Sequence, residues 1–204
     1  MGLLSGGVLG DLPAKAQEML AIATKNLDRL NNLVNDILDV EKLVSGNMAF
    51  DFQSVDLLAI AREAVEENQG YAQSCGIGFR FAETTSHVNV HGDSMKLGQV
   101  IANLLSNAAK FSDKGKTVDV SLAVDNNIAK VSITDYGPGI SKNFQRKFFQ
   151  RFAQADASDT RQQSGTGLGL YISKSIIDGH GGTIGYDTQE GVGTTFFFTL
   201  NVLE

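Results

Sequence analysis

The chain has 204 residues, 42% hydrophobic and 20% charged, which suits one ordinary domain plus a smaller element and excludes a disordered chain. Its net charge of −6 disfavours a nucleic-acid or anionic-membrane partner, because phosphate groups attract basic surfaces. A single cysteine, Cys75, excludes an intrachain disulfide and a cysteine-rich metal centre.

No apolar stretch approaches the ~20 residues of a membrane span. The first residues, Met1 to Ser5, lack both the basic and the long apolar region of a signal peptide. They match a myristoylation signal only loosely, since Gly6 stands where Ser or Thr is required. The chain therefore reads as soluble and cytoplasmic, with no membrane contact of its own.

Pro13 follows a Gly-rich stretch and precedes a long helical pattern, where its missing N–H is tolerated. Apolar residues then fall at Leu20, Ala23, Leu27, Leu30, Val34 and Ile37, alternating three- and four-residue steps. That spacing makes a bundle-type seam that cannot be buried by one helix alone. The helix is expected to stop near Ser45-Gly46-Asn47, with a domain boundary at 46–52.

Beyond it, an alternating piece at Phe50–Val55 leads to a helix over Asp56–Gly70, capped by Asp56. A strand at Ile77–Phe81, a helix over Asp93–Phe111 and strands at Thr117–Val124 and Ala129–Thr134 follow. After a loop-rich section come a helix near Thr166–Gly179 and two strands, Thr183–Tyr186 and Thr194–Asn201, that read as a hairpin. The mixture predicts an α+β sandwich, a sheet covered by helices on one side.

Four segments carry chemistry. Asn103, Asn107 and Lys110 recur at i, i+4 and i+7 on one helix face, where two amide oxygens and an ammonium suit a Mg²⁺–phosphate group. Asp135-Tyr136-Gly137-Pro138-Gly139-Ile140 follows a strand; its glycines allow close approach, and its carboxylate can accept from an exocyclic amine. Phe148-Phe149-Gln150-Arg151-Phe152 sets aromatics beside a polar stretch, Gln154–Ser164. Gly165-Thr166-Gly167-Leu168-Gly169-Leu170 opens a helix, where bare backbone N–H groups hold anions. Taken singly, these read as a solvated helix face, a turn, core phenylalanines and a Gly-rich turn. The glycine spacing fits neither the Walker nor the Rossmann pattern.

In this order, the four segments resemble the N, G1, F and G2 boxes of sensor histidine kinases, whose ATP-binding domain belongs with those of gyrase, Hsp90 and MutL. The closest likeness covers residues ~95–200. Leu27 to Asp39 resembles the second helix of that family's dimerisation and phosphotransfer domain. The resemblance implies a two-layer α/β sandwich of the Bergerat type after a long bundle-type helix. It implies residues 1–47 as a partial phosphotransfer region and 48–204 as the ATP-binding catalytic domain. ATP and Mg²⁺ would be the cofactors. The implied partners are an acceptor-histidine helix, a response regulator and, in a full kinase, a second copy of the chain.

Carried over residue by residue, Asn103 and Asn107 would hold Mg²⁺ and phosphates, with Lys110 on a phosphate. Asp135 would take the adenine amine in a pocket shaped by Gly137, Gly139 and Ile140. Phe152 would border the site, residues 153–164 would form the ATP lid, and Arg161 would reach a phosphate. Gly165, Thr166, Gly167, Leu168 and Gly169 would form the turn onto the helix. Ser164 and Gln150 depart from the Gly and Glu common in the family, without abolishing ATP binding.

None of the three histidines, His87, His91 and His180, lies in the family's acceptor motif. His180, in a His-Gly-Gly turn, reads as structural. Leu3–Gly10 resembles the tail of the family's first helix and the hairpin turn, which implies an acceptor upstream of Met1 or a naturally acceptor-less relative. Related ATPases carry a general-base glutamate one helical turn before the metal-binding asparagine. Here that position is Asn103, which cannot accept a proton, so transfer is favoured over hydrolysis. A nucleotide-binding or interaction module without an acceptor is the competing reading.

Overall fold

The computed structural model describes residues 13–82, 87–145, 148–153 and 166–203. The chain divides into two compact units, Met1–Gly46 and Asn47–Glu204. In the first, α1 (Ala14–Val44) runs 31 residues from Pro13, and Gly46 beyond its end takes a left-handed φ of 70°. Leu27, Leu30, Val34 and Ile37 of the seam are exposed on it. Among the described residues no helix is long and apolar enough to cross a membrane.

The second unit is an α+β sandwich. Its elements are β1 (Gln53–Asp56), α2 (Leu57–Cys75), β2 (Gly78–Ala82), β3 (Asn89–Gly92), α3 (Ser94–Phe111), β4 (Thr117–Asp125) and β5 (Ile128–Asp135). There follow the short α4 (Lys142–Gln145), α5 (Gly169–Gly179), β6 (Thr183–Gln189) and β7 (Gly193–Asn201). Five strands form one sheet in the order β2-β4-β5-β7-β6, with β2 parallel to β4 and the other pairs antiparallel. β1 and β3 form a separate antiparallel ribbon.

Alternation builds the core. Val118, Val120, Leu122, Val131, Ile133, Phe196 and Phe198 are buried, and α3 supplies fully buried Leu97, Ile101, Leu104 and Leu105. Each such side chain contributes about 1.5–3 kcal/mol by leaving water. The same 3.6-residue period that buries these leucines puts Asn103, Asn107 and Lys110 half-buried at the margin of the helix.

Two local expectations change. The helix predicted to end at Gly70 continues to Cys75, and Gly76 ends it with a left-handed φ of 76°. Gly70 is exposed inside the helix; its cost of about 1 kcal/mol relative to alanine is outweighed by the buried stripe that continues through Ala72. The strands around 125–128 extend to a two-residue turn in which Asn126 and Asn127 take φ of 49° and 60°. Asparagine tolerates this conformation, and that turn type matches the twist of an antiparallel pair.

His180 is a structural residue. Its Nδ1 lies 2.8 Å from the Ile176 carbonyl, and its Nε2 accepts from the Asp93 N–H at 3.0 Å. A carbonyl at one nitrogen and an amide donor at the other select the neutral Nδ1–H tautomer. Phe50 and Phe52 pack edge-on to this ring at 5.1 and 5.0 Å, and Phe52 stacks on His91 of β3 at 5.3 Å. His87 instead sits 2.6 Å from the Asp56 carboxylate at the surface.

Candidate nucleotide site

The site is built on α3, which Asp93 caps by accepting from the Lys96 N–H at 3.1 Å. The helix meets two glycine-bearing turns. Near its middle, Asn103 lies so close to Gly169 that a Cβ there would collide with the Asn103 amide oxygen. At its end, the Phe111 carbonyl abuts Gly137, where a Cβ would overlap that oxygen and lie 2.9 Å from its carbon. Two glycines 32 positions apart in the chain therefore meet the middle and the C-terminal end of one helix. Between the two contacts runs the stripe Asn103–Asn107–Lys110.

Asp135 ends β5 and is 3% exposed. Its Oδ1 accepts from the Gly137 N–H at 3.0 Å. Burial pushes this carboxyl up to about 6, against the opposing pull of the Gly137 and Thr194 N–H groups. A buried carboxylate facing backbone N–H groups keeps capacity to accept from a further donor. Gly139 has φ of 72°, and a Cβ there would overlap the Gln189 carbonyl. Ile140 is buried and donates its N–H to the Thr188 hydroxyl at 2.9 Å, while Gly191 donates to the Pro138 carbonyl at 2.8 Å. These bonds tie the 135–140 loop to the turn between β6 and β7.

The turn onto α5 is equally constrained. Thr166 Oγ1 accepts from the Leu168 N–H at 3.2 Å, and Leu168 is 1% exposed. Gly167 has φ of 72°, and a Cβ there would stand 2.8 Å from the Phe152 carbonyl carbon. The phenylalanine cluster divides. Phe148 is buried, stacking on Phe196 at 5.5 Å, whereas Phe152 is 68% exposed with a left-handed φ of 59°. Arg151 lies over the Tyr171 ring and donates to its hydroxyl at 2.8 Å. Arg161 and Gly165 lie outside the described residues.

Three contributors escape sequence reasoning. Thr194 pairs with Asp135 in register, is buried, and lies 3.0 Å from Thr188 through their hydroxyls. Gly193, with φ of 145°, lets the Asp135 carbonyl approach where a Cβ would stand. Ser173 on α5 accepts from Asn103. The Gly-x-Gly before the last strand is the only local signal for the first two; Ser173 has none.

A sheet with helices over one face, a helix margin rich in amides, and two glycine turns pressed against it define the class of nucleotide-site proteins to which known families can be compared. Residues 92–204 match the family of histidine kinase-, DNA gyrase B- and HSP90-like ATPases, and the chain belongs to that family. It is 34% identical over 199 residues to the sensor histidine kinase GacS of Pseudomonas protegens, covering 94% of this chain and 22% of GacS. It is 35% identical over 205 residues to the sensor protein EvgS of Escherichia coli K12, covering 98% of this chain and 17% of EvgS. The chain thus spans a minor part of the length of these relatives. Among solved structures, full-length ShkA in complex with AMPPNP superposes with a TM-score of 0.78 at 26% identity, covering 98% of this chain and 42% of ShkA. The mycobacterial sensor histidine kinase MprB gives 0.62 at 32% identity, covering 74% of this chain and 97% of that one.

Proposed function

We propose that this chain binds ATP with Mg²⁺ at the α3 site and is the phosphate-donor part of a sensor histidine kinase. It would pass the γ-phosphoryl group to a histidine outside this chain, within two-component signalling. The observation that carries the reading is the pair of contacts, Asn103 on Gly169 and Phe111 on Gly137, that frames the amide stripe between two turns of bare backbone. ShkA, a structural neighbour, is in complex with AMPPNP, which agrees with a nucleotide ligand.

In this reading Asp135 accepts from the adenine amine, and Gly137, Gly139 and Ile140 shape the pocket around the base. Asn103 and Asn107 turn their amide oxygens to the metal, and Lys110 faces a phosphate. The α5 turn, Gly165 to Gly169 with Thr166 and Leu168, offers backbone N–H groups to the phosphates, and Arg161 and Phe152 border them. Bound Mg²⁺ would neutralise phosphate charge and orient the transferred group. The chain's own contribution is positioning; with Asn103 in place of a base, attacking water is not activated.

Residues 1–47 would supply half of a dimerisation and phosphotransfer hairpin, and 48–204 the catalytic domain. An acceptor helix, a response regulator and a second kinase subunit would be its partners in the full protein. The deciding experiment supplies a fragment bearing the family's acceptor helix and follows Mg·ATP-dependent, acid-labile phosphate on it. Transfer is the expected result. Nucleotide binding without transfer would favour a binding module instead.

Asn107→Ala removes the amide oxygen that would face the metal without adding a charge beside the phosphates. We expect ATP affinity in saturating Mg²⁺ to fall by about tenfold or more, on the scale of a charge-assisted hydrogen bond, with little change in Mg²⁺-free binding. Calorimetry with and without Mg²⁺ reads this directly; equal Mg²⁺ dependence in both proteins would count against the metal role.

A further inference from the structure

Ser173 lies on α5, 1% exposed and 70 positions from Asn103, yet its hydroxyl accepts the Asn103 Nδ2–H at 2.8 Å. The same amide lies across Gly169 with its oxygen nearest: a Cβ there would collide with Oδ1 and stand 3.0 Å from Nδ2. An asparagine side chain has two nearly isosteric orientations, one presenting oxygen and one presenting NH₂. A serine in a helix interior has the carbonyl four residues back as the ordinary acceptor for its proton, which leaves its oxygen to accept. With Nδ2 held on Ser173, the oxygen is the end left facing the α5 turn. The opposite orientation would present two N–H donors to a cation.

We propose that Ser173 is a positioning residue for the metal–phosphate site, fixing the Asn103 amide with its oxygen toward Mg²⁺ and so tying α5 to metal affinity. The inference rests on the reading of Asn103 as a metal-binding residue. A buried serine that merely filled space would serve as well when replaced by alanine; one that orients an amide would not. The bond also couples the two sides of the site, because a shift of α5 along α3 removes the acceptor from Nδ2.

The test uses the full chain, wild type and Ser173→Ala, titrated with AMPPNP in the presence and absence of Mg²⁺, with thermal unfolding as a check that both are folded. The gain in affinity that Mg²⁺ confers is expected to fall by about five- to tenfold in Ser173→Ala, the scale of one oriented hydrogen bond to a charged centre. Mg²⁺-free binding is expected within about twofold, since the bond acts only through the metal ligand. The Asn103 side-chain NH₂ resonances, assigned by their loss in Asn103→Ala, should shift upfield and exchange faster in Ser173→Ala.

An unchanged Mg²⁺ gain in Ser173→Ala, with that gain reduced in Asn103→Ala and Asn107→Ala, overturns the proposal and leaves the site reading standing. If all three variants keep the gain, the site reading fails and takes the proposal with it. Equal losses with and without Mg²⁺ would mean packing alone, and unmoved NH₂ resonances would mean the bond is absent in solution; either overturns the proposal.

Discussion

Asp135→Asn is expected to bind nucleotide more weakly and to unfold at a higher temperature at pH 8. Burial holds the Asp135 carboxyl at about 6 in the folded chain against 3.8 as its ordinary value. That rise corresponds to roughly 3 kcal/mol of differential stability between its two protonation states. The favourable share is fully present below pH 3.8, where the carboxyl is protonated folded or unfolded, and is lost as pH rises through about 6. Above that, the folded protein holds a buried charge which an amide would not impose. The variant should therefore gain on the order of 1–3 kcal/mol at pH 8 and nothing at pH 3.5.

The binding loss has a separate origin. Oδ1 is committed to the Gly137 N–H, so the amide would turn its NH₂ into the pocket. There it would meet the adenine amine donor to donor, at a cost of about 1–3 kcal/mol in affinity. For the parent protein, nucleotide affinity should weaken as pH falls through about 6. Unchanged affinity in the variant would remove Asp135 from the adenine pocket; an unchanged unfolding temperature at pH 8 would dispute the burial of its charge.

Gly137→Ala should damage both the fold and the site through a single methyl. The added Cβ would overlap the Phe111 carbonyl oxygen and crowd Asp135 Oδ1 at 3.2 Å. Both obstacles are fixed, one by the last turn of α3 and the other by the bonds that hold the buried carboxylate. Either the loop or the helix end must move, costing about 1–3 kcal/mol by the usual measure of overpacking. If, as proposed, the loop borders adenine and α3 the phosphates, nucleotide binding should be lost beyond detection even where the fold survives. Urea unfolding and nucleotide titration together read both effects. Wild-type affinity in this variant would mean that the 135–140 loop does not border the nucleotide.

Much of this was legible in the chain because the decisive signals are local. The period of α1, the alternation of β4 and β5, the Asp56 cap and the order of the four motif segments all lie within short windows. Gly70 misled because a glycine inside an amphipathic helix looks like a stop until the burial of Ala72 is known. Ser173 and Thr194 stayed hidden for a different reason: their partners lie 70 and 59 positions away, brought near by sheet order and by the packing of α5 on α3. Asp135 could be picked out as an acceptor, but its raised pKa comes from burial that no spacing encodes.

The approach of Gly167 to the Phe152 backbone has one more consequence. It holds the two chain positions at one place, so the fold fixes both ends of whatever length of chain joins them. The closure entropy of that chain grows only logarithmically with length, about 0.6 kcal/mol for each doubling. Lengthening the chain between Phe152 and Gly167 would therefore leave the sheet and the 135–140 loop nearly as stable as before. What the fold specifies here is the distance between two points and not the length of what joins them.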